Sequence, residues 1–156
     1  SKMIRITRQT DYGILLLSQM ASHPLMEVHT AKHAAQQSNV PLPMASKILK
    51  ALAKGGLLVS QRGVKGGYRL ATAAERISIG DVIQALEGPI GITECSSNPG
   101  ACEREGSCPV QTNWKRISVA MRDALDRIPL SDMVMPQMLR PDVRLLTVSS
   151  QIARPL

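Results

Sequence analysis

The feature that most restricts the fold of this chain is a helix that stops at two glycines and is followed at once by a glycine-rich hairpin. The helical stretch "MASKILKALAK" follows Pro43, which suits a first helical turn because its φ is already fixed and no N–H partner is needed there. Gly55 and Gly56 end the helix. Residues 57–71 then contain an apolar strand, a turn with three glycines and a second strand, which predicts a β-hairpin.

Two further helices are predicted ahead of this one. The first covers residues 10–20, with Thr10 as its candidate N-cap and a run of apolar residues behind it. The second is short and covers residues 30–39, with Thr30 as its N-cap. The helix before the hairpin is therefore the third.

The third helix is amphipathic. Its apolar residues share one face: Ala45, Ile48, Leu49 and Leu52. Its lysines share the opposite face: Lys47, Lys50 and Lys54. A short helix, a tight turn and a longer helix with a basic outer face are typical of a helix-turn-helix, although an ordinary solvated lysine face is the alternative.

The hairpin has the position of a wing, with Arg62 and Lys65 at its tip beside glycines that allow a close backbone approach. An arginine there can enter a minor groove while the third helix occupies the major groove. We therefore predict a mainly α fold with a small β-hairpin wing: a winged helix-turn-helix domain plus a long dimerisation helix. The residues predicted to contact DNA are Pro43, Ser46, Lys47, Lys50, Lys54, Arg62, Lys65, Gly66 and Gly67.

Charge supports a nucleic-acid partner. Residues 1–80 hold 11 Lys and Arg and 3 acidic residues, a net charge of +8, whereas residues 81–156 hold 8 and 9, a net charge of −1. A one-sided basic domain indicates a polyanion ligand. The aromatic residues Tyr12, Tyr68 and Trp114 are too few to stack on single strands or RNA, so we expect double-stranded operator DNA. Without an apolar run of about 18 residues, we expect a cytoplasmic protein with no membrane partner.

The second half begins with a predicted helix over residues 78–88, opened by a capping-box-like Ser78 and Asp81. A longer helix is predicted from Pro109 to Ile128. Its apolar residues repeat alternately at four and three positions and form a heptad seam: Val110, Trp114, Ile117, Met121, Ala124 and Ile128. The seam predicts a homodimer, although the helix could instead fold onto its own domain. We expect three parts: residues 3–77, the DNA-binding domain; residues 78–133, with the dimerisation helix; and residues 134–156, a flexible tail.

All the cysteines lie close together in residues 95–108: Cys95, Cys102 and Cys108. An odd number of thiols in a reducing cytosol favours metal or redox chemistry over disulfides. The C-x6-C-x5-C spacing lacks the close cysteine pair of structural zinc sites and does not match ferredoxin spacings. A wide loop with glycines can instead surround a bulky cluster, and three thiolates leave one position for a different ligand. Such a cluster would be easily lost or oxidised, which suits a sensor.

In these motifs the chain resembles the IscR/NsrR-type winged-helix regulators of the Rrf2 family. The matching pieces are "TDYG" at residues 10–13, "RGVKGGYRLA" at 62–71, "SIGDVIQALEGP" at 78–89, and "TECS" at 93–96 leading through the other cysteines to "NWKRI". The resemblance covers about residues 3–133 and is strongest to the branch that regulates the SUF iron–sulfur assembly operon. It implies a homodimeric DNA-binding repressor, not an enzyme and without a small-molecule substrate, whose three cysteines hold a [2Fe-2S] or [4Fe-4S] cluster. A nitric oxide or redox sensor with the same fold and cluster site is the alternative.

Two positions depart from the family pattern. IscR-like members complete the cluster with a histidine three residues after the last cysteine, where this chain has Gln111. Nitric-oxide-sensing members use an acid at the start of the first helix of the other subunit, which corresponds to Asp11. We therefore predict Asp11 as fourth ligand, with Gln111 or a small exogenous ligand next; a carboxylate favoured by the helix dipole is the plain alternative for Asp11. Ser46 replaces a discriminating glutamate of IscR, so the operator preference does not carry over.

Overall fold

The computed structural model describes residues 5–134. Its helices are α1 (Arg8–Ala21), α2 (Ala31–Ser38), α3 (Leu42–Lys54), α4 (Ile79–Glu87), α5 (Glu94–Ser97), α6 (Gln111–Asp126) and α7 (Ser131–Val134). Between α3 and α4 lie the strands β1 (Leu58–Gln61) and β2 (Gly67–Leu70) and a 3-10 turn at Ala74–Arg76. From residue 135 onward, the predicted flexible tail lies outside the described residues.

The first helix starts one turn earlier than predicted, and the assignment of Thr10 as its N-cap is wrong. Thr7 is the cap, and its hydroxyl accepts the backbone N–H of Thr10 at 3.3 Å. Thr10 lies inside α1 with its side chain fully buried. The two threonines are three residues apart, so the outer one satisfies the free N–H of the inner one.

The helix-turn-helix prediction is confirmed in its details. Thr30 caps α2 by accepting the N–H of His33 at 3.1 Å, and Asn39 ends α2 in the left-handed conformation. Pro43 lies in the first turn of α3, which ends at Gly55. The predicted apolar face of α3 is completely buried: Ala45, Ile48, Leu49 and Leu52. This face fixes α3 in the core and leaves its lysines outside.

The hairpin is also confirmed. β1 and β2 pair antiparallel, with Leu58 opposite Leu70 and Gln61 opposite Gly67. The inward side chains Leu58 and Leu70 join the main core, which attaches the wing to α3. The backbone of His29, just before α2, pairs with Tyr68 on the free edge of β2.

The second half returns to this core. Ser78 and Asp81 form the predicted capping box at the start of α4, and Val82 is buried in the main core. α4 packs against α1 and α3 on one side and α6 on the other. After α6, the N–H of Leu130 donates to the carbonyl of Ile77 at 2.7 Å, and the Leu130 side chain is fully buried. None of the helices in residues 5–134 is long and apolar enough to cross a membrane.

Candidate nucleic-acid interface and cysteine loop

The outer face of α3 is basic. Lys47, Lys50 and Lys54 are exposed, and no carboxylate within residues 5–134 forms a salt bridge with them. Pro43 is exposed and Ser46 is half-buried in the first two turns of α3. In a helix-turn-helix these early positions of the second helix face base edges, whereas lysines further along meet phosphates.

The wing tip is positioned by close backbone contacts at two glycines. A β-carbon on Gly66 would collide with the carbonyl oxygen of Gln61, and one on Gly67 would collide with that of His29. The N–H of Gly66 donates to the carbonyl of Gly63 at 2.9 Å, which closes the turn. The tip therefore presents its other side chains to solvent. They are Arg62, Val64 and Lys65.

The cysteine loop, residues 95–108, begins inside the short helix α5 and ends just before α6. All its thiols are free, with Cys95 buried and Cys102 and Cys108 half-buried. The sulfur of Cys95 lies 3.2 Å from the hydroxyl of Thr93. α5 has no sequence signal, because it is only one turn long and too short to show a helical period.

The cysteine loop and the segment just before it are held against α6 by polar contacts that sequence patterns did not reveal. The backbone N–H of Ile92 donates to the hydroxyl of Ser118 at 3.2 Å, and Arg122 donates from Nη2 to the carbonyl of Ile90 at 3.3 Å. Within the loop, Glu105 accepts from the N–H of Gly100 and forms a salt bridge with Lys115 of α6 at 3.7 Å. The partners that join Ile92 to Ser118 and Ile90 to Arg122 are far apart in sequence, so no local pattern could have indicated them.

The donor set of the loop fits an iron–sulfur cluster in its chemistry, because free thiolates are the usual ligands of such clusters. In the described part of the chain, however, no three Cys, His, Asp or Glu side chains converge on one point in a way that could hold a metal ion. Cys95 is buried beside Thr93. An iron–sulfur cluster is larger than a single metal ion, and its ligation by Cys95, Cys102 and Cys108 stays a prediction.

The two candidates for a fourth ligand lie at helix starts. Asp11 is exposed in the first turn of α1, and Gln111 is the half-buried first residue of α6. Glu87 at the end of α4 accepts the backbone N–H of Thr7 at 2.8 Å, which holds the start of α1 beside the segment that leads to the cysteine loop. Since Asp11 was predicted to act on the other subunit, its role and that of Gln111 stay predictions.

The predicted seam lies on the outer face of α6. Trp114 is 38% exposed and Ile117 is 43% exposed, and Val110 and Ile128 are similarly open. The contacts of α6 with its own chain are made instead by Ser118, Arg122 and Leu125. Much of the seam is therefore open to solvent, whereas Met121 is half-buried. Met121 and Ala124 line an open groove of about 1060 Å³ together with Ile83 of α4.

A basic α3 set on a buried apolar face, together with a hairpin whose tip carries exposed cations, defines a winged helix-turn-helix transcriptional regulator. The chain belongs to the Rrf2 family: residues 6–136 match this family, which is described as an iron-dependent transcriptional regulator. The chain is therefore a DNA-binding regulator and not an enzyme, as the sequence predicts.

Curated relatives agree over most of the chain. The protein rrf2 of Nitratidesulfovibrio vulgaris is 31% identical over 131 residues, covering 84% of this chain and 87% of that protein. The HTH-type transcriptional regulator IscR of Vibrio cholerae is 29% identical over 132 residues, covering 85% of this chain and 76% of that protein.

Solved structures confirm the fold. CymR, the global cysteine regulator of B. subtilis, has a TM-score of 0.64 and 29% identity, covering 85% of this chain and 97% of that one. The IscR of T. potens has a TM-score of 0.61 and 25% identity, covering 86% and 93%. The predicted mainly α architecture with a β-hairpin wing is thus confirmed.

Proposed function

We propose that the chain is a homodimeric, cytoplasmic repressor that senses iron–sulfur cluster status and controls cluster-assembly genes, including those of the SUF operon. The observation that carries this proposal is a loop with three free thiols fastened to α6, in a chain whose winged half is basic. The iron-dependent description of the family supports it. The SUF assignment rests on the sequence motifs named above.

On DNA, α3 lies in the major groove and the wing reaches a minor groove. Ser46 and Lys47, near the start of α3, face base edges, and Lys50 and Lys54 neutralise phosphates. Arg62 enters the minor groove, where a narrow A·T-rich stretch has enhanced negative potential. Two such domains read two half-sites about 34–36 Å apart, which requires a dimer. The exposed seam of α6 and the groove beside it are the surface that fits a second copy.

The cysteine loop couples the sensor to DNA binding through α4 and α6. A bound cluster would be lost under iron shortage or on attack by oxidants or nitric oxide. Cys95, Cys102 and Cys108 hold it, with Asp11 of the other subunit or Gln111 at the remaining position. Since the loop lies between α4, which packs on the winged domain, and α6, which carries the seam, its conformation sets the distance between the two α3 helices.

Anaerobic purification tests the cluster. The wild-type protein should be coloured and contain iron and sulfide in similar amounts. Cys102→Ala should be colourless and free of both, whereas Ser107→Ala, an exposed control in the same loop, should keep them. Full iron and sulfide in Cys102→Ala would contradict the site.

A nitric oxide or redox sensor with the same fold is the second candidate, favoured by the exposed Asp11 in the position of the acid of nitric-oxide-sensing members. Titration of the cluster-loaded protein with nitric oxide, compared with cluster depletion by a chelator, separates the two. Release of operator DNA at stoichiometric nitric oxide supports the second candidate. Release only on depletion supports the first.

A further inference from the structure

We propose that a cluster of three histidines, His23, His29 and His33, makes the position of the wing dependent on pH. His29 and His33 are four residues apart on either side of the Thr30 cap, a spacing that predicts a solvated pair more readily than a metal site. The prediction is wrong for His29, which is only 3% exposed. Its ring lies 5.0 Å from that of His23 and 6.0 Å from that of His33, measured between ring centroids. The three side chains come from the end of α1, the connection to α2, and the first turns of α2.

His29 also holds the wing through its backbone. Its N–H donates to the carbonyl of Tyr68 and its carbonyl accepts the N–H of Tyr68, both at 2.7 Å. Gly67 lies so close to the His29 carbonyl that no side chain fits between them. Residue 29 therefore forms an isolated antiparallel β-bridge with the edge of β2. Because the buried ring and these backbone bonds belong to one residue, displacement of the ring moves the wing.

The surroundings of His29 favour its neutral form. Burial lowers the pKa of His29, nearby Glu27 raises it, and His23 and His33 lower it further, with a net lowering. These are the titratable groups that act on the ring, and Glu27 is itself paired with His23 at 3.3 Å. No group of three such side chains in residues 5–134 could hold a metal ion.

The sign of the effect follows from the lowered pKa. An open form, in which His29 reaches water, binds a proton with the ordinary histidine pKa of about 6.5, whereas the closed form binds it only at lower pH. The closed form is therefore fully favoured above about pH 6.5 and loses its advantage as the pH falls toward the lowered value. Each unit of difference between the two pKa values changes the ratio of closed to open form by up to about tenfold.

The pH dependence of the wing position can be tested without DNA, by amide hydrogen exchange on the full chain in the apo state. The ratio of protection at the Tyr68 amide to that at the Ala71 amide is compared at about pH 7.5 and pH 5.5, the range in which histidines titrate. The Ala71 amide is a matched control because it donates to Leu57 at the base of the same hairpin, at 3.0 Å. We expect the ratio to fall several-fold in the wild type and to stay constant in His29→Gln. A ratio that is independent of pH in the wild type, or that falls equally in both proteins, would overturn the proposal.

A second variant covers the case in which His29→Gln does not fold. His33→Gln removes an imidazole that lowers the pKa of His29, so the NMR titration midpoint of the His29 ring should rise. An unchanged or lower midpoint would overturn the role of the cluster.

The consequence for DNA rests on the proposed function. At constant ionic strength, duplex affinity should fall between about pH 7.5 and pH 6 more steeply in the wild type than in His29→Gln. A steeper fall in the variant would overturn the link between His29 and the wing. Absence of duplex binding at the higher pH would instead overturn the proposed function, because the exchange ratio is measured without DNA.

Discussion

The hydroxyl of Ser118 accepts the backbone N–H of Ile92 at 3.2 Å, and this bond ties the chain entering the cysteine loop to the inner face of α6. Ser118 is the buried residue of α6, at 4% exposure. This bond is one of the contacts that connect the loop region to the proposed dimer helix, beside those of Arg122 and Lys115. A small hydroxyl suffices because the backbone passes directly over the helix.

Replacing Ser118 by alanine should lower the free energy of unfolding by about 1 kcal/mol, because the N–H of Ile92 loses its partner in a half-buried place. Urea denaturation of the apo-protein measures this. Ser107→Ala removes an exposed hydroxyl from the same region and should change stability by less than about 0.5 kcal/mol. Equal losses in the two variants would show that the bond to Ile92 is not what stabilises this region.

Ile117→Glu should dissociate the proposed homodimer, because it places a charge in the middle of the exposed seam. Sedimentation equilibrium at micromolar protein should then report the mass of one chain. The control is Val119→Glu: Val119 is 52% exposed but lies on the opposite side of α6, given about 3.6 residues per turn. If Val119→Glu dissociates the protein and Ile117→Glu does not, the interface lies on the other face of α6.

Arg62→Ala should weaken binding to the specific operator by about 1–3 kcal/mol and binding to random duplex by much less, because a minor-groove arginine reads groove shape. Lys54→Ala should weaken both by similar factors and reduce the salt slope by about one unit, because it touches phosphate only. Both side chains are exposed, so folding should be unaffected. The affinities are compared by fluorescence anisotropy over a range of salt concentrations.

Equal losses on operator and random duplex for Arg62→Ala would mean that the wing only anchors the DNA backbone. Recognition of bases would then fall to Ser46, Lys47 and their neighbours on α3.

Glu87→Gln should destabilise the chain at neutral pH and have less effect in acid. Burial raises the pKa of Glu87, but hydrogen bonds from the side chain and backbone of Thr7 and from Thr10 outweigh it, so the pKa is lowered. The stabilisation is therefore present above the ordinary glutamate pKa of about 4.3 and is lost as the pH falls through the lowered value. Because Glu87 is exposed, we expect a loss below about 1 kcal/mol at pH 7.

Urea denaturation of the wild type and Glu87→Gln at several pH values checks this, with Glu103→Gln as an exposed control in the cysteine loop. A difference between wild type and Glu87→Gln that grows in acid would contradict the assigned role of the carboxylate.

The elements with strong local signals could be predicted from sequence. The buried face of α3, the Thr30 cap and the glycine-rich hairpin follow from helical period, capping chemistry and turn residues, which act over a few positions. The exposed seam of α6 follows for the same reason. Thr10 was misassigned because two threonines one turn apart both suit a cap, and only the packing of α1 decides between them.

The arrangement of the candidate site could be predicted only in part. The identity of the three thiols is plain in the sequence, but the path of the chain into the cysteine loop depends on Thr93, Ser118 and Arg122. Their contacts are long-range or depend on one short turn. The approach of His23 to His29 likewise depends on how the connection between α1 and α2 passes under the wing. Such contacts are set by tertiary packing, which no local period records.

The wing tip is shaped by backbone contacts, with Gly66 against the carbonyl of Gln61 and Gly67 against that of His29. The side chains that point outward, Arg62, Val64 and Lys65, take no part in that shape. Recognition and folding are thus assigned to different residues of one short turn. In evolutionary terms, a duplicated gene could mutate at the three outward positions and acquire a new DNA target, while the two glycines preserve the shape of the wing.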